Sequence, residues 1–486
     1  MIRNILKDSI FYGISTTLNK FVVTLLIPLY TRIFSTEEFG TFDLIMSIIS
    51  ASIIILGLQI ESGVARYYYE TEEKGEIKDL LGTAIVIIII SSIIGLPIII
   101  LISQKYLTGY KGISWIFLLL AFLSVPFGIM HNLLLTLLRL QKKIISYSIL
   151  SIGDVLIMAI LAILLIFLFK TGLKSVFFAF LISKNLFTII GLFMIKKTIS
   201  LNFSINTSKK ILFYSIPLIP AVLSNWAQNY ANRFIILGFL TLSAVGIFGF
   251  AARIGSIVLL VDQGFKLAWD PYAIKVMEKE ESKEIYPRVL RYYLLIMTLF
   301  CSIISLFSKE VVYIFGGQNY LRAIPIGGFI VFGYLWRGSV QIFGLGNLVC
   351  KKTYFNTLGF ILGSSVNLIV LYLLIKKFSI MAAGISFLLG SFVIVLIIFI
   401  FAQRNYYIPY SYPRIVASGI ITIVVLYLSN KINMLNSNIL FSEIILKIFV
   451  LCILGIILSK IMFMRDDFIK IIGVITNLKL RLKENV

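Results

Sequence analysis

The chain is short of charge, of sulfur and of histidine. Only 14% of its 486 residues are Asp, Glu, Lys or Arg, against roughly 25% in a soluble domain. That scarcity excludes the two or three soluble domains that length alone would suggest. The single histidine, His131, sits beside Asn132 in an apolar run and reads as a hydrogen-bonded core residue rather than a proton relay. Cys301, Cys350 and Cys452 have neither metal spacing nor a disulfide framework, so they read as small core hydrophobes. No Gly-Lys-Ser or Gly-Lys-Thr phosphate loop occurs, and Gly316-Gly317 reads as a turn, so neither ATP hydrolysis nor a bound cofactor or metal is expected. Acids are scarcer than bases, 22 against 44, for a net charge of +22. The bases lie in short segments between apolar runs, without the basic groove and stacking aromatics that nucleic acid requires. Membrane orientation and contact with anionic lipid account for the excess, and no nucleic-acid partner is expected.

What the chain does have is hydrocarbon. It is 59% hydrophobic with a mean hydropathy of +1.00, and a helix needs about 20 mostly apolar residues to cross a bilayer. Fourteen runs qualify: 9–33, 42–65, 80–102, 113–138, 145–169, 176–195, 211–237, 243–265, 292–307, 324–349, 355–375, 380–402, 415–429 and 443–463. The longest connection between them is expected from Lys266 to Arg291. The first run is too long for a signal-peptide core and carries Asn19 and Lys20 in its middle, so it reads as a retained span. With the N-terminus inside, the inner loops and tails hold 27 Lys and Arg against 10 outside, which predicts that both termini are cytoplasmic.

An internal echo runs at an offset of 206 residues. It pairs Gly40 with Gly246, Phe42 with Phe248, Ser35 with Thr241 and Asn19 with Asn225; Lys142-Lys143 and Lys351-Lys352 repeat at 209. Duplication of a six-helix unit explains a near-constant spacing, and both copies would run in the same direction.

Four stretches carry a family likeness: Pro28-Leu-Tyr-Thr-Arg-Ile-Phe-Ser-Thr-Glu-Glu-Phe-Gly-Thr-Phe42, Gly57-Leu-Gln-Ile-Glu-Ser-Gly-Val-Ala-Arg-Tyr-Tyr-Tyr-Glu70, Leu138-Arg-Leu-Gln-Lys-Lys143 and Phe265-Lys-Leu-Ala-Trp-Asp-Pro-Tyr272. From residue 9 to about 400 the chain resembles Wzx-type oligosaccharide-lipid flippases, the polysaccharide-biosynthesis branch of the superfamily that also holds multidrug exporters and peptidoglycan-precursor flippases. The resemblance implies an all-α integral membrane fold of about 14 transmembrane helices, with two six-helix lobes around a central cavity plus two C-terminal helices. The lobes would be residues 1–195 and 211–402, and 403–486 would hold the two extra spans and a cytoplasmic tail. The location implied is the plasma membrane.

Ionisable groups inside apolar spans are costly unless they face water or a partner. Lys20, Lys184, Arg233, Arg253 and Arg337 are the bases in such positions, and Glu61, Asp154 and Asp262 the acids. The surplus of base suits an anionic ligand. Asn225, Gln228, Asn229, Asn232 and Arg233 recur at helical steps and are expected on one stripe, with Pro217 and Pro220 loosening the helix before it. Tyr12, Thr16, Asn19 and Lys20 form a thinner stripe in the first span. Amides and cations together hydrogen-bond sugar hydroxyls and a diphosphate; the alternative is that they hold helices to one another. Lys20, Asn225, Asn229, Arg233, Arg253 and Arg337 are therefore the candidate binding residues, and Glu61 a candidate for ion coupling or for pairing with a base. Asp154 with Lys184, and Asp262 with Lys266 and Asp270, are expected to be structural pairs.

The leading expectation is a monomeric flippase, not an enzyme, for polyprenyl-diphosphate-linked oligosaccharide repeat units. Its partners would be that lipid-linked substrate and membrane lipids, with a polysaccharide polymerase and glycosyltransferases beside it. A drug or cation exporter of the same fold would favour an acid-rich cavity. A membrane enzyme acting on lipid-linked sugars would favour paired carboxylates on a sizeable outer loop, and only Glu37-Glu38 come near that description.

Overall fold

The computed structural model describes residues 2–462 apart from 108, 111, 201, 278, 280 and 435–439; the side chains of 2–12, 14, 16, 20, 440 and 441 are also outside the description. The described residues are helical, with no strand among them. In chain order the helices are α1 (Ile2–Ile33), α2 (Thr36–Gly57), α3 (Ile60–Glu73), α4 (Ile77–Leu107), α5 (Trp115–Leu123), α6 (Val125–Leu140) and α7 (Ile144–Phe169). They continue with α8 (Leu173–Ile195), α9 (Ile205–Ser215), α10 (Ile219–Trp226), α11 (Asn232–Phe239), α12 (Leu242–Gly255), α13 (Val258–Val276) and α14 (Ser282–Leu306). The last are α15 (Ser308–Phe315), α16 (Ile324–Phe343), α17 (Leu345–Val349), α18 (Tyr354–Phe378), α19 (Met381–Asn405), α20 (Tyr412–Asn433) and α21 (Leu440–Met462).

This is a multi-pass membrane protein. Among the described residues, twelve helical segments are long and apolar enough to cross a bilayer. Of the fourteen expected spans, the other two fall on α1, part of which lies outside the described side chains, and on 205–239, which is interrupted. There Ile216–Leu218 form a 3₁₀ turn around Pro217, Pro220 opens α10, and Ala227–Ala231 form a π-turn. Proline has no N–H to donate and clashes with the preceding turn, so the expected loosening is present.

Helix ends differ from the hydropathy limits, because a helix does not stop where the bilayer does. The long connection expected from Lys266 to Arg291 is mostly helix: α13 runs to Val276 and α14 starts at Ser282. The span expected over 42–65 begins six residues earlier, at Thr36, where Ser35 and Glu38 form a reciprocal capping box. It ends at Gly57, where Leu58 and Gln59 take left-handed backbone conformations before α3.

Two contacts place the elements that matter below. α2 and α12 pack along each other, and their closest approach is at Gly40 and Gly246. A Cβ on Gly40 would overlap the Leu242 carbonyl, and one on Gly246 would overlap the Thr36 carbonyl. Thr36 and Ser243 share a hydroxyl hydrogen bond of 2.7 Å beside this point. α14 is flanked by α16, α20 and α21. Two ion pairs link α15 to α21, Lys309 with Glu443 at 2.9 Å and the fully buried Lys447 with Glu310 at 2.6 Å.

Candidate functional site

The interrupted stretch from α10 through α11 carries the amides, and its π-turn divides them. A π-turn inserts an extra residue into the helical path. The single expected stripe becomes two. Gln228 and Asn232 are fully buried. The Gln228 amide donates to the Phe387 carbonyl at 3.2 Å and to Ser391 Oγ at 3.1 Å, and Asn232 and Asn367 pair side chain to side chain at 3.0 Å. These amides fasten the broken helix to α18 and α19. Asn225 is exposed and Asn229 half-buried, on the other side.

On that side the cations gather. Arg337 Nη1 donates to Asn229 Oδ1 at 2.7 Å, and Asn229 Nδ2 donates to the Asn225 carbonyl at 2.7 Å. Arg233 Nη1 donates to the Asn229 carbonyl, and its Nε donates to Asp43 Oδ2 at 2.7 Å. Arg253 Nη2 donates to Asp43 Oδ1 at 3.2 Å. Five candidates from the sequence, Asn225, Asn229, Arg233, Arg253 and Arg337, thus form one connected network. The sixth, Lys20, has its side chain outside the described residues.

Asp43 is the member that sequence reasoning missed. It lies two turns into α2, 97% shielded from solvent, between the two guanidiniums. Its side chain occupies the space over Gly249, where a Cβ would collide with the carboxylate. One carboxylate for three guanidiniums leaves two net positive charges. Aromatic faces hold each cation: Arg233 over Tyr230 and Phe248, Arg253 over Phe39 and Phe42, Arg337 over Tyr334, all with centroid distances of 4.9–5.4 Å. Arg233 is buried, whereas Arg253 keeps 21% of its side chain exposed and Arg337 is half-buried. Arg253 Nε, though buried, finds no acceptor among the described residues. The network can therefore accept further anionic oxygens at Arg253 and Arg337, and Arg233 holds the scaffold.

The other intramembrane charges have other partners, and of these Asp262 comes within Coulombic reach of Arg337. Lys184 pairs with Asp154 at 2.5 Å, and Ser183 donates to the same carboxylate at 2.7 Å. His131 is buried beside them, Nε2 3.8 Å from Asp154. Asp262 receives Tyr293 Oη at 3.0 Å, Gln341 Nε2 at 2.8 Å and Lys266 Nζ at 3.6 Å. In the first span, Asn19 donates to Ser151 of α7 at 2.5 Å, and Ser15 and Ser148 bond at 2.9 Å, so its described polar residues join two helices. Glu61 sits with Gln59 and Asn132 in a pocket of about 220 Å³, and no base among the described residues lies within ion-pair distance. The three cysteines are free, and no group of three metal-ligating side chains occurs among the described residues.

Comparison with known proteins agrees with this fold. A family model described as polysaccharide biosynthesis protein matches residues 5–261, more than half of the chain. A protein of the Lsg locus of Haemophilus influenzae is 23% identical over 285 residues, covering 57% of this chain and 68% of that protein. The solved structure of the lipid II flippase MurJ in an inward closed conformation superposes with a TM-score of 0.72, at 17% identity, covering 93% of this chain and 98% of MurJ. An inward-facing multidrug resistance MATE family transporter of the MOP superfamily gives 0.64, at 15% identity, covering 82% and 95%. At such identities the likeness is one of fold.

Proposed function

This chain belongs to the polysaccharide biosynthesis protein family, and from that premise we propose that it is a flippase moving polyprenyl-diphosphate-linked oligosaccharide units from the inner to the outer leaflet of the plasma membrane. The observation that carries the reading is the Asn225–Asn229–Arg337 and Arg233–Asp43–Arg253 network, with its two net positive charges within membrane helices. A diphosphate diester is doubly negative, and guanidiniums bind its oxygens in bidentate fashion. The exposed amides serve sugar hydroxyls. The prenyl chain stays in hydrocarbon while the head group crosses, so the protein moves only the polar part. Two lobes, 1–195 and 211–402, would rock about the site, with 403–486 attached to the second. No step makes or breaks a covalent bond, so the protein acts as a transporter. A polymerase and glycosyltransferases would supply and consume its substrate.

The test is Arg337→Ala. The half-buried Arg337 reaches the network through a single amide, so its loss should leave the folded amount unchanged. Export of lipid-linked oligosaccharide should fall at least about a hundredfold, the scale of two lost charge-assisted hydrogen bonds. Arg337→Lys should rescue little if both phosphate oxygens are held by the fork. Full export by a well-expressed Arg337→Ala protein would end the cationic-site reading. An exporter of organic cations would instead tolerate the change or improve, since a repelling charge is gone.

Orientation has its own check. With both termini cytoplasmic, a cysteine placed at Lys351 or Lys142 should resist membrane-impermeant maleimide in intact cells and react after permeabilisation. Labelling of Lys351→Cys in intact cells would reverse the topology.

A further inference from the structure

The short helix α9, between α8 and α10, carries two bases that the cationic network does not use, and it is fastened on one side only. Ser204 caps it, accepting from the Thr207 N–H at 3.3 Å, and the Ser204 N–H donates to Thr83 Oγ1 of α4 at 3.0 Å. Ile211 and Ser215 are buried against Gly63 of α3, where an added Cβ would overlap Ser215 Oγ and press on Ile211. The other side is open. Lys209, Leu212, Phe213 and Ile216 follow at steps of three and four, which puts them on one face, with Lys210 and Pro217 beside them. These six, and Tyr67 of α3 opposite, line a groove of about 700 Å³. Phe213, at 85%, is more exposed than any other large hydrophobic side chain among the described residues, and in a multi-pass membrane protein such a ring belongs in hydrocarbon. The two lysines stand one to two turns before the apolar part. Both are exposed, and neither pairs with an acid among the described residues. No acid lines the groove, and Arg66, its guanidinium 5.7 Å from the centre of the Tyr67 ring, brings a third base. Tyr67 meets Tyr214 edge to face at 6.2 Å, and tyrosines gather at the depth of the lipid head groups.

We infer that this groove binds an anionic phospholipid, its phosphate on Lys209 and Lys210 and an acyl chain along Leu212, Phe213 and Ile216. The order of the lining matches the order of the ligand, charge first and hydrocarbon after it. Unpaired amines select an anionic head over a zwitterionic one, and a lysine stem lies along apolar surface while its ammonium reaches the phosphate. Among anions with a hydrocarbon tail, a phospholipid is the one a bilayer supplies continuously. Mass action therefore fills an open groove with it ahead of a scarce transport substrate. The site goes beyond the flippase reading and does not depend on it. α9 leads through Pro217 into the helix that carries Asn225 and Asn229, so a bound lipid steadies the base of that broken helix.

The experiment uses the full chain in phosphatidylcholine nanodiscs holding a trace of phosphatidylglycerol with a diazirine near the start of one acyl chain. Light should attach the probe within 209–217 and at Tyr67. Lys209→Gln and Lys210→Gln should each reduce that labelling about fivefold and the double variant about thirtyfold, the scale of one and two basic contacts at a lipid surface. Lys209→Arg with Lys210→Arg should keep it, since charge is what the head group reads. Glutamine is as good a helix former as lysine, so all variants should unfold at the wild-type temperature in neutral detergent. Unchanged labelling in the double Gln variant overturns the site. So does equal labelling by a diazirine phosphatidylcholine, which would mean hydrocarbon contact without recognition of the head. Displacement of the probe by excess geranylgeranyl diphosphate but not by excess phosphatidylglycerol overturns it as well, and gives the groove to a prenyl diphosphate instead. Loss of the site leaves the flippase reading where the Arg337→Ala test puts it.

Discussion

Replacing Asp43 by alanine is expected to destabilise the protein by about 3–5 kcal/mol, the cost of removing one partner from a buried ion pair. The reason is what remains behind. Arg233 is 2% exposed and loses the acceptor of its Nε, and Arg253 loses the acceptor of its Nη2. Two guanidiniums of like charge would then face each other across the vacated space without water to screen them. Removing the second charge as well should return much of the loss, because an uncharged, well-packed pair is often as stable as a buried ion pair. Asp43→Ala with Arg233→Met is therefore expected to unfold at a higher temperature than Asp43→Ala alone, measured in the same detergent. The two variants should still agree in transport, with neither exporting substrate, since the scaffold that positions Asn229 and Arg253 is absent from both. An Asp43→Ala protein as stable as the wild type would show that water reaches the two arginines and that the carboxylate is not holding them.

A comparable loss is expected where α2 meets α12. A methyl group on Gly40 or Gly246 points into a backbone carbonyl of the facing helix, and a backbone cannot turn aside as a flexible side chain does. The helices must separate, which breaks the Thr36–Ser243 hydrogen bond and loosens Asp43 and Arg253 one to two turns away. Gly40→Ala and Gly246→Ala should each cost about 3 kcal/mol, the upper end of overpacking penalties. Gly264→Ala is the control. It lies within α13 with nothing within 4 Å of the added Cβ, and there alanine should be neutral or raise stability by up to about 1 kcal/mol through helix propensity. Thermal unfolding of the three proteins side by side decides the matter: equal melting temperatures would mean that α2 and α12 do not pack this closely.

Local information in the sequence suffices for part of this site. The bases Arg233, Arg253 and Arg337 and the amides Asn225 and Asn229 were visible because each interrupts an apolar run, and such a residue needs a partner wherever it lies. Asp43 was hidden by a boundary. With the second span starting at residue 42, an acid at 43 passes for a loop residue near the head groups. The signal that corrects this is local too: Ser35 followed three residues later by Glu38 is a capping box, and it starts the helix at Thr36 with Asp43 well inside. The division of the amides had no such signal. Nothing in Ala227–Ala231 announces a π-turn, and without it Gln228 and Asn232 fall on the same stripe as Asn229.

Membrane residence and helix content were settled by the sequence alone, because both follow from sums over neighbouring residues: about 20 apolar side chains repay the transfer into lipid whatever surrounds them. The prolines at 217 and 220 broke their helix for an equally local reason, a missing donor. Which charges stand free and which are neutralised was decided by tertiary structure. Arg233 finds Asp43 from 190 residues away and Arg253 finds it from 210, whereas the pairing of Lys184 with Asp154 on the adjoining α7 was expected from the sequence. Electrostatic pairing falls off with distance in space and takes no account of distance along the chain, so only the packing of α2 against α10 and α12 could bring one carboxylate to two of the three guanidiniums.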